Sequence, residues 1–221
     1  MTAVDQLREK LELSVFADDL FGENSYLLCR RDTKAALLID PGLQYPQVLR
    51  RIAADGLAVE AILITHAHVD HIAGVPAVRA ETASPVAMHP DDHALLDWGQ
   101  FQGLPFIPSG FQPFTVDNPL VHGQAIDFQD LKLRVLHTPG HTQGSVCFLI
   151  GLDCFAGDTL FQRSIGRTDL PGGDAQKIVL SIRNVLYALP AKTVVHPGHG
   201  PRTSIEEEML LNPFVPGQTG R

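Results

Sequence analysis

Cysteine is scarce in this 221-residue chain: Cys29, Cys147 and Cys154 form an odd set with no C-x-x-C spacing. Each lies in an apolar run, which points to reduced, buried thiols and a cytoplasmic setting rather than a disulfide framework. Positive charge is also short, with 17 Lys and Arg against 25 Asp and Glu and a net charge of -8. Such a surface repels phosphate backbones, so no nucleic-acid partner is expected. No apolar stretch approaches the roughly 18 residues of a membrane span, and residues 1–10 mix acids with bases without an apolar centre, unlike a signal peptide. Low-complexity segments and linkers are lacking as well. With 44% hydrophobic and 19% charged residues, the chain is too apolar for disorder, and residues 1–221 are expected to form one domain.

What the sequence does have is histidine, ten of them, and their placement follows its organisation. Short apolar or alternating runs at 13–17, 25–29 and 35–39 predict strands joined by tight turns. Residues 46–55 carry Val48, Leu49, Ile52 and Ala53 at helical spacing and stop at Gly56, so a helix leads into a buried strand at 61–65. A strand at 85–89 and a short helix at 91–98 precede a long loop, 99–119, rich in Gly, Pro and Phe. Further strands are predicted at 125–127, 131–137, 144–150 and 154–156, then a helix at 175–189 capped by Asp174 and a strand at 193–195. Ser204-Ile205-Glu206-Glu207 is a capping box opening a final short helix. Two halves, each with strands, a helix and a strand, suggest two sheets packed face to face with helices outside, an α/β architecture.

The strand at 61–65 runs directly into Thr65-His66-Ala67-His68-Val69-Asp70-His71, four candidate metal ligands within six residues. Strand ends are where open α/β sheets bind ligands. Imidazole and carboxylate crowded beside apolar strands are costly unless a cation compensates them. Three later turns carry isolated ligands flanked by Gly: His141 in Pro139-Gly140-His141, Asp158 in Gly157-Asp158-Thr159, and His199 in Pro197-Gly198-His199-Gly200.

This ordered set resembles the metallo-β-lactamase superfamily, whose T-H-x-H-x-D-H motif is followed by separate His, Asp and His ligands. The resemblance implies a four-layer αβ/βα sandwich. It also implies two divalent cations, zinc first with iron or manganese as alternatives. One would be held by His66, His68 and His141, the other by Asp70, His71 and His199, with Asp158 bridging. Two such cations about 3.5 Å apart lower the pKa of a shared water toward 7, so Asp70, with the metal-bridging hydroxide, and Asp158 are the expected catalytic residues. Asp40, ending the strand at 35–39, resembles an acid that orients a ligand imidazole from behind.

Within the superfamily, Gly157-Asp158-Thr159-Leu160-Phe161 running into Ser164-Ile165-Gly166-Arg167-Thr168-Asp169 resembles the hydroxyacylglutathione hydrolase (glyoxalase II) group. So do Phe21-Gly22-Glu23-Asn24-Ser25-Tyr26 and Asn212-Pro213-Phe214. Only 22 residues follow His199, which is similar to a compact subgroup lacking the helical C-terminal domain. The implied activity is hydrolysis of hydroxyacylglutathione-like thioesters, with Arg163, Arg167, Phe106 and Phe111 as candidate substrate contacts. An iron-dependent persulfide dioxygenase and a lactonase are the alternatives. The partner expected is a small thioester or ester, and the protein a monomer or homodimer.

Overall fold

In the computed structural model the described residues are 9–96 and 114–217. They fall into two compact units divided between Pro119 and Leu120. Among them no helix is long and apolar enough to cross a membrane.

The first unit is a six-stranded sheet whose spatial order follows the chain: β1 (Leu11–Ala17), β2 (Asn24–Arg30), β3 (Ala35–Ile39), β4 (Ala58–Leu63), β5 (Val86–Met88) and β6 (Asn118–Pro119). The hairpin-linked strands β1 to β3 pair antiparallel, and β3 to β6 pair parallel through crossovers. Helix α1 (Tyr45–Asp55) ends at Gly56, whose left-handed backbone (φ +62°) closes the last turn as the sequence predicts. Its Val48 and Ile52 pack with Leu27, Leu38, Ile62 and Ile64 of one sheet face, joined by Val75 and Val78 of α3 (Val75–Thr82). Each such side chain, removed from water, contributes about 1.5–3 kcal/mol. Strand β4 begins and ends earlier than predicted. The residues beyond it, Ile64 and Thr65, remain buried and lead into the histidine motif, Ile64 still donating its amide to the Ala87 carbonyl. The one-turn helix α2 (Val69–Ile72) is part of that motif.

The 91–98 helix is instead a 3-10 turn, Pro90–Leu95, whose N-cap is the His89 ring accepting from the Asp91 amide. Residues 99–113 of the predicted loop lie outside the described residues, and β6 at its far end belongs to the sheet.

The second unit is a sheet in the order β14-β13-β10-β9-β8-β7. Its strands are β7 (Ala125–Phe128), β8 (Leu131–His137), β9 (Val146–Ile150), β10 (Asp153–Gly157), β13 (Val194–Pro197) and β14 (Thr203–Ser204). Only β10 and β13 pair in parallel. A separate hairpin, β11 (Leu160–Phe161) and β12 (Ser164–Ile165), stands between β10 and the helices. Asp174 caps α4 (Ala175–Ser181) by accepting from the amides of Gln176 and Lys177. The helix then widens into a π-helical turn, Ile182–Leu186, rather than running unbroken to Leu189. Ile178, Ile182, Leu186 and Leu189 pack on Leu136, Cys147, Leu149 and Val195, and α5 (Ile205–Leu211) adds Ile205. All three cysteines are buried and unbridged, and burial pushes the Cys29 thiol up to about 11, as expected for inert thiols.

Candidate metal centre

Each unit carries its own cluster of metal-ligand side chains at the ends of its strands. In the first, Asp40 leaves β3 in the left-handed region (φ +48°). That unusual backbone aims its carboxylate at the end of the next strand. It accepts from the Thr65 amide at 2.7 Å and the Thr65 hydroxyl at 2.6 Å, and its Oδ2 lies 3.0 Å from His71 Nδ1. A carboxylate accepts, so His71 carries its proton on Nδ1 and presents a lone pair at Nε2. The same logic reaches His66. Because Thr65 gives its hydroxyl proton to Asp40, its oxygen, 3.1 Å from His66 Nδ1, accepts from that ring.

Both imidazoles are fully buried, with centroids 4.1 Å apart, and the His68 ring lies edge-on to His66 at 4.8 Å. His68 is the N-cap residue of α2, and Asp70 sits in the first turn with Oδ2 3.9 Å from His71 Nε2.

Two buried acids behind this cluster were not singled out by the sequence reading. Asp92, within the helix predicted at 91–98, is fully buried and accepts from the Ala67 amide between the first two histidines. Glu23, also fully buried, accepts from Ser25 Oγ and lies 3.9 Å from His71 Nδ1. Against it packs Gly42, where a Cβ would collide with both the Glu23 carboxylate and the Asp70 carbonyl. The Gly74 amide reaches back to the Pro41 carbonyl at 2.8 Å, so the 40–42 turn and the 70–74 turn interlock. Burial and the nearby Glu23 charge hold the Tyr26 hydroxyl well above the usual tyrosine range.

In the second unit, His141 Nδ1 lies 2.7 Å from the Arg167 carbonyl, which can only accept. Its Nε2 lone pair therefore faces Asp158 Oδ2 at 3.4 Å, and His199 Nε2 faces the same oxygen at 3.4 Å. The His141 lone pair and the carboxylate oxygen held this way repel unless a cation or a shared proton lies between them. A nitrogen and oxygen set with no thiolate suits zinc, iron or manganese alike. Gly166 is required where it stands, because a Cβ there would run into the Asp158 carbonyl and meet His141 Nδ1.

The candidate substrate contacts fare differently. Phe106 and Phe111 lie outside the described residues. Arg163 is held by Glu208, its Nη1 2.6 Å from the carboxylate and its own amide donating to it. Arg167 is exposed and forked onto Asp169 through two hydrogen bonds, while its carbonyl serves His141. That pairing pulls the Asp169 carboxyl down to about 2. Of the remaining histidines, His196 stacks on Phe155 and pairs with Asp153, and His137 bonds the Gln143 carbonyl. Both are structural in these contacts.

Strand-end imidazoles with the Nδ1 atom of three of them engaged by oxygen, together with facing carboxylates, define a metal-dependent enzyme class. The chain belongs to the metallo-beta-lactamase superfamily, whose sequence profile matches residues 18–199, and it is of the superfamily's metallo-hydrolase type with the metallo-beta-lactamase fold. It is 36% identical to the probable metallo-hydrolase YqgX of Bacillus subtilis, over 88% of this chain and 92% of that one. It is 33% identical to the hydroxyacylglutathione hydrolase GloC of Haemophilus influenzae, over 83% and 89%. Among solved structures, the BLEG-1 B3 metallo-beta-lactamase is 36% identical, with a TM-score of 0.81 over 95% of this chain and 100% of that one. ETHE1 from Myxococcus xanthus is 32% identical, with a TM-score of 0.79 over 94% and 86%. TTHA1623 in a di-iron-bound form is 37% identical, with a TM-score of 0.79 over 91% and 100%.

Proposed function

We propose that this protein is a thioesterase of the hydroxyacylglutathione hydrolase kind, acting on a small acyl thioester in the cytoplasm. The two clusters would together hold two divalent cations, one on His66, His68 and His141, the other on Asp70, His71 and His199, with Asp158 shared. The observation that carries this reading is Asp158 Oδ2 facing two histidine Nε2 atoms at 3.4 Å. Bound there, the cations supply an ionised water at neutral pH and a counter-charge for the carbonyl oxygen under attack.

The chain's own residues supply the rest. Asp40, Thr65 and the Arg167 carbonyl hold the Nδ1 protons of His71, His66 and His141, so each ring offers one fixed lone pair. Asp70 and Asp158 bring negative charge that keeps an attacking water in place while the thiolate leaves. Zinc is the proposed metal, and the di-iron form of TTHA1623 supports iron as the variant worth loading in parallel. The likeness to GloC supports the thioester substrate. A second reading, an iron-dependent persulfide dioxygenase, is favoured by the likeness to ETHE1; a lactonase would use the same ligands on a cyclic ester.

The test is hydrolysis of S-lactoylglutathione by protein of measured metal content, followed by loss of thioester absorbance. Turnover with kcat/KM above about 10⁴ M⁻¹s⁻¹ is expected, and Asp158→Ala should abolish it while lowering metal stoichiometry. No thioester turnover with two metals bound would transfer the reading to lactones. Oxygen uptake with glutathione persulfide and a single iron would replace it with the dioxygenase.

A further inference from the structure

The hairpin β11–β12 has two residues in each strand and no third strand beside it. Two-stranded ribbons of this kind are marginal alone, yet this one and the residues that flank it reach the ligand cluster of its unit. It starts two residues after Asp158, Phe161 meets the His199 ring edge-on at 6.0 Å, and the residues just after it supply Gly166 and the carbonyl that bonds His141. Its tip is fastened by Glu208 of α5. That carboxylate is fully buried and accepts four hydrogen bonds, from the Arg163 amide (2.8 Å), Arg163 Nη1 (2.6 Å), Thr203 Oγ1 (2.6 Å) and Asn212 Nδ2 (2.9 Å). Asn212, which caps the end of α5, donates in addition to the Ser164 carbonyl at 3.0 Å, so the tip and the second strand of the hairpin are both gripped from the α5 segment. Arg163 at the tip adopts φ +58°, a strained backbone for a side-chain-bearing residue that persists when its surroundings hold it.

We propose that Glu208 is a positioning residue of the metal centre: through the Arg163 tip it sets the hairpin whose flanks orient His141, Asp158 and His199. The inference rests on the metal-site reading above. A full-charge acceptor buried among four donors is a rigid anchor, and removing its charge loosens the hairpin without touching any ligand. Groups that orient metal ligands from behind commonly change affinity by about 10–100-fold when altered.

The test uses the full chain. Zinc affinity is measured by competition with a chromophoric chelator for the wild type, Glu208→Gln, Arg163→Ala and Leu186→Ala, and the absorption bands of the cobalt-loaded proteins are compared. Leu186 is a fully buried core residue of the same unit and makes none of these bonds. Glu208→Gln is expected to bind zinc about tenfold or more weakly with shifted cobalt bands. Arg163→Ala should move in the same direction and covers the case in which Glu208→Gln does not fold. Leu186→Ala, although less stable, should keep wild-type affinity while folded. Unchanged affinity and bands in folded Glu208→Gln or Arg163→Ala, or an equal loss in Leu186→Ala, overturns the positioning role. A wild type that binds no zinc or cobalt overturns the metal-site reading itself, a different result from an unaffected variant.

Discussion

Arg167 shows how one residue can serve two ends. Its carbonyl locks the His141 tautomer, while its guanidinium only pairs with Asp169 in open solvent. The Asp169 carboxyl is held down to about 2 by the Arg167 hydrogen bonds. A lowered carboxyl pKa stabilises the folded chain above the ordinary value near 3.8 and loses that contribution as pH falls toward about 2. Arg167→Ala should therefore raise the Asp169 titration, followed by carboxyl carbon NMR, from about 2 toward 3.8. It should leave stability above pH 5 almost unchanged, because exposed pairs contribute little. The carbonyl stays, so His141 should keep its orientation. At this scale the seven proposed ligands and Asp40 could be singled out in the sequence, because each sits in a short motif whose chemistry is local. Asp92 and Glu208 were not. Asp92 serves an amide 25 residues away and Glu208 an amide 45 residues away, and nothing in their own neighbourhoods distinguishes a buried acceptor from a solvated helix acid.

At the scale of elements, the long apolar strands and α1 were readable because period and punctuation agree, down to the Gly56 stop. The two-residue strands β6, β11, β12 and β14 are too short to show any period, and they exist only through pairing. The π-helical turn after Ser181 hides in a stripe that reads as continuous helix, since Ile182 and Leu186 keep facing the core. Phe148 of β9 is fully buried, one of the larger side chains to be so. Phe148→Ala should cost about 3–5 kcal/mol, read as a fall in the urea midpoint without a change in slope. The central strand carries a heavier share of stability than the β11–β12 hairpin, where a similar truncation should cost far less.

For the whole molecule, two six-stranded sheets each present ligands from loops at strand ends. Metal loading then stabilises the folded chain by mass action, about 4 kcal/mol when free metal exceeds the dissociation constant a thousandfold. Stripping the protein with a chelator should lower Tm by several degrees, and adding zinc back should restore it; a Tm indifferent to metal would contradict the shared ligand set. The family and its fold were legible from the ordered ligand motifs alone. The single-domain expectation came from length and the lack of a linker, neither of which reveals that the chain's contacts divide at residue 119.

The interlocked turns at 40–42 and 70–74 carry a consequence for how a cation would arrive. With Gly42 pressed against the Asp70 carbonyl and the Gly74 amide bonded to Pro41, the histidine turn has its shape before any ion enters. Little backbone has to be ordered on loading, so the conformational entropy that a floppy loop would surrender is already spent in folding. Entry in this half would then be limited by stripping water from the ion, and its heat-capacity change would be small, unlike that of a segment that folds around its metal.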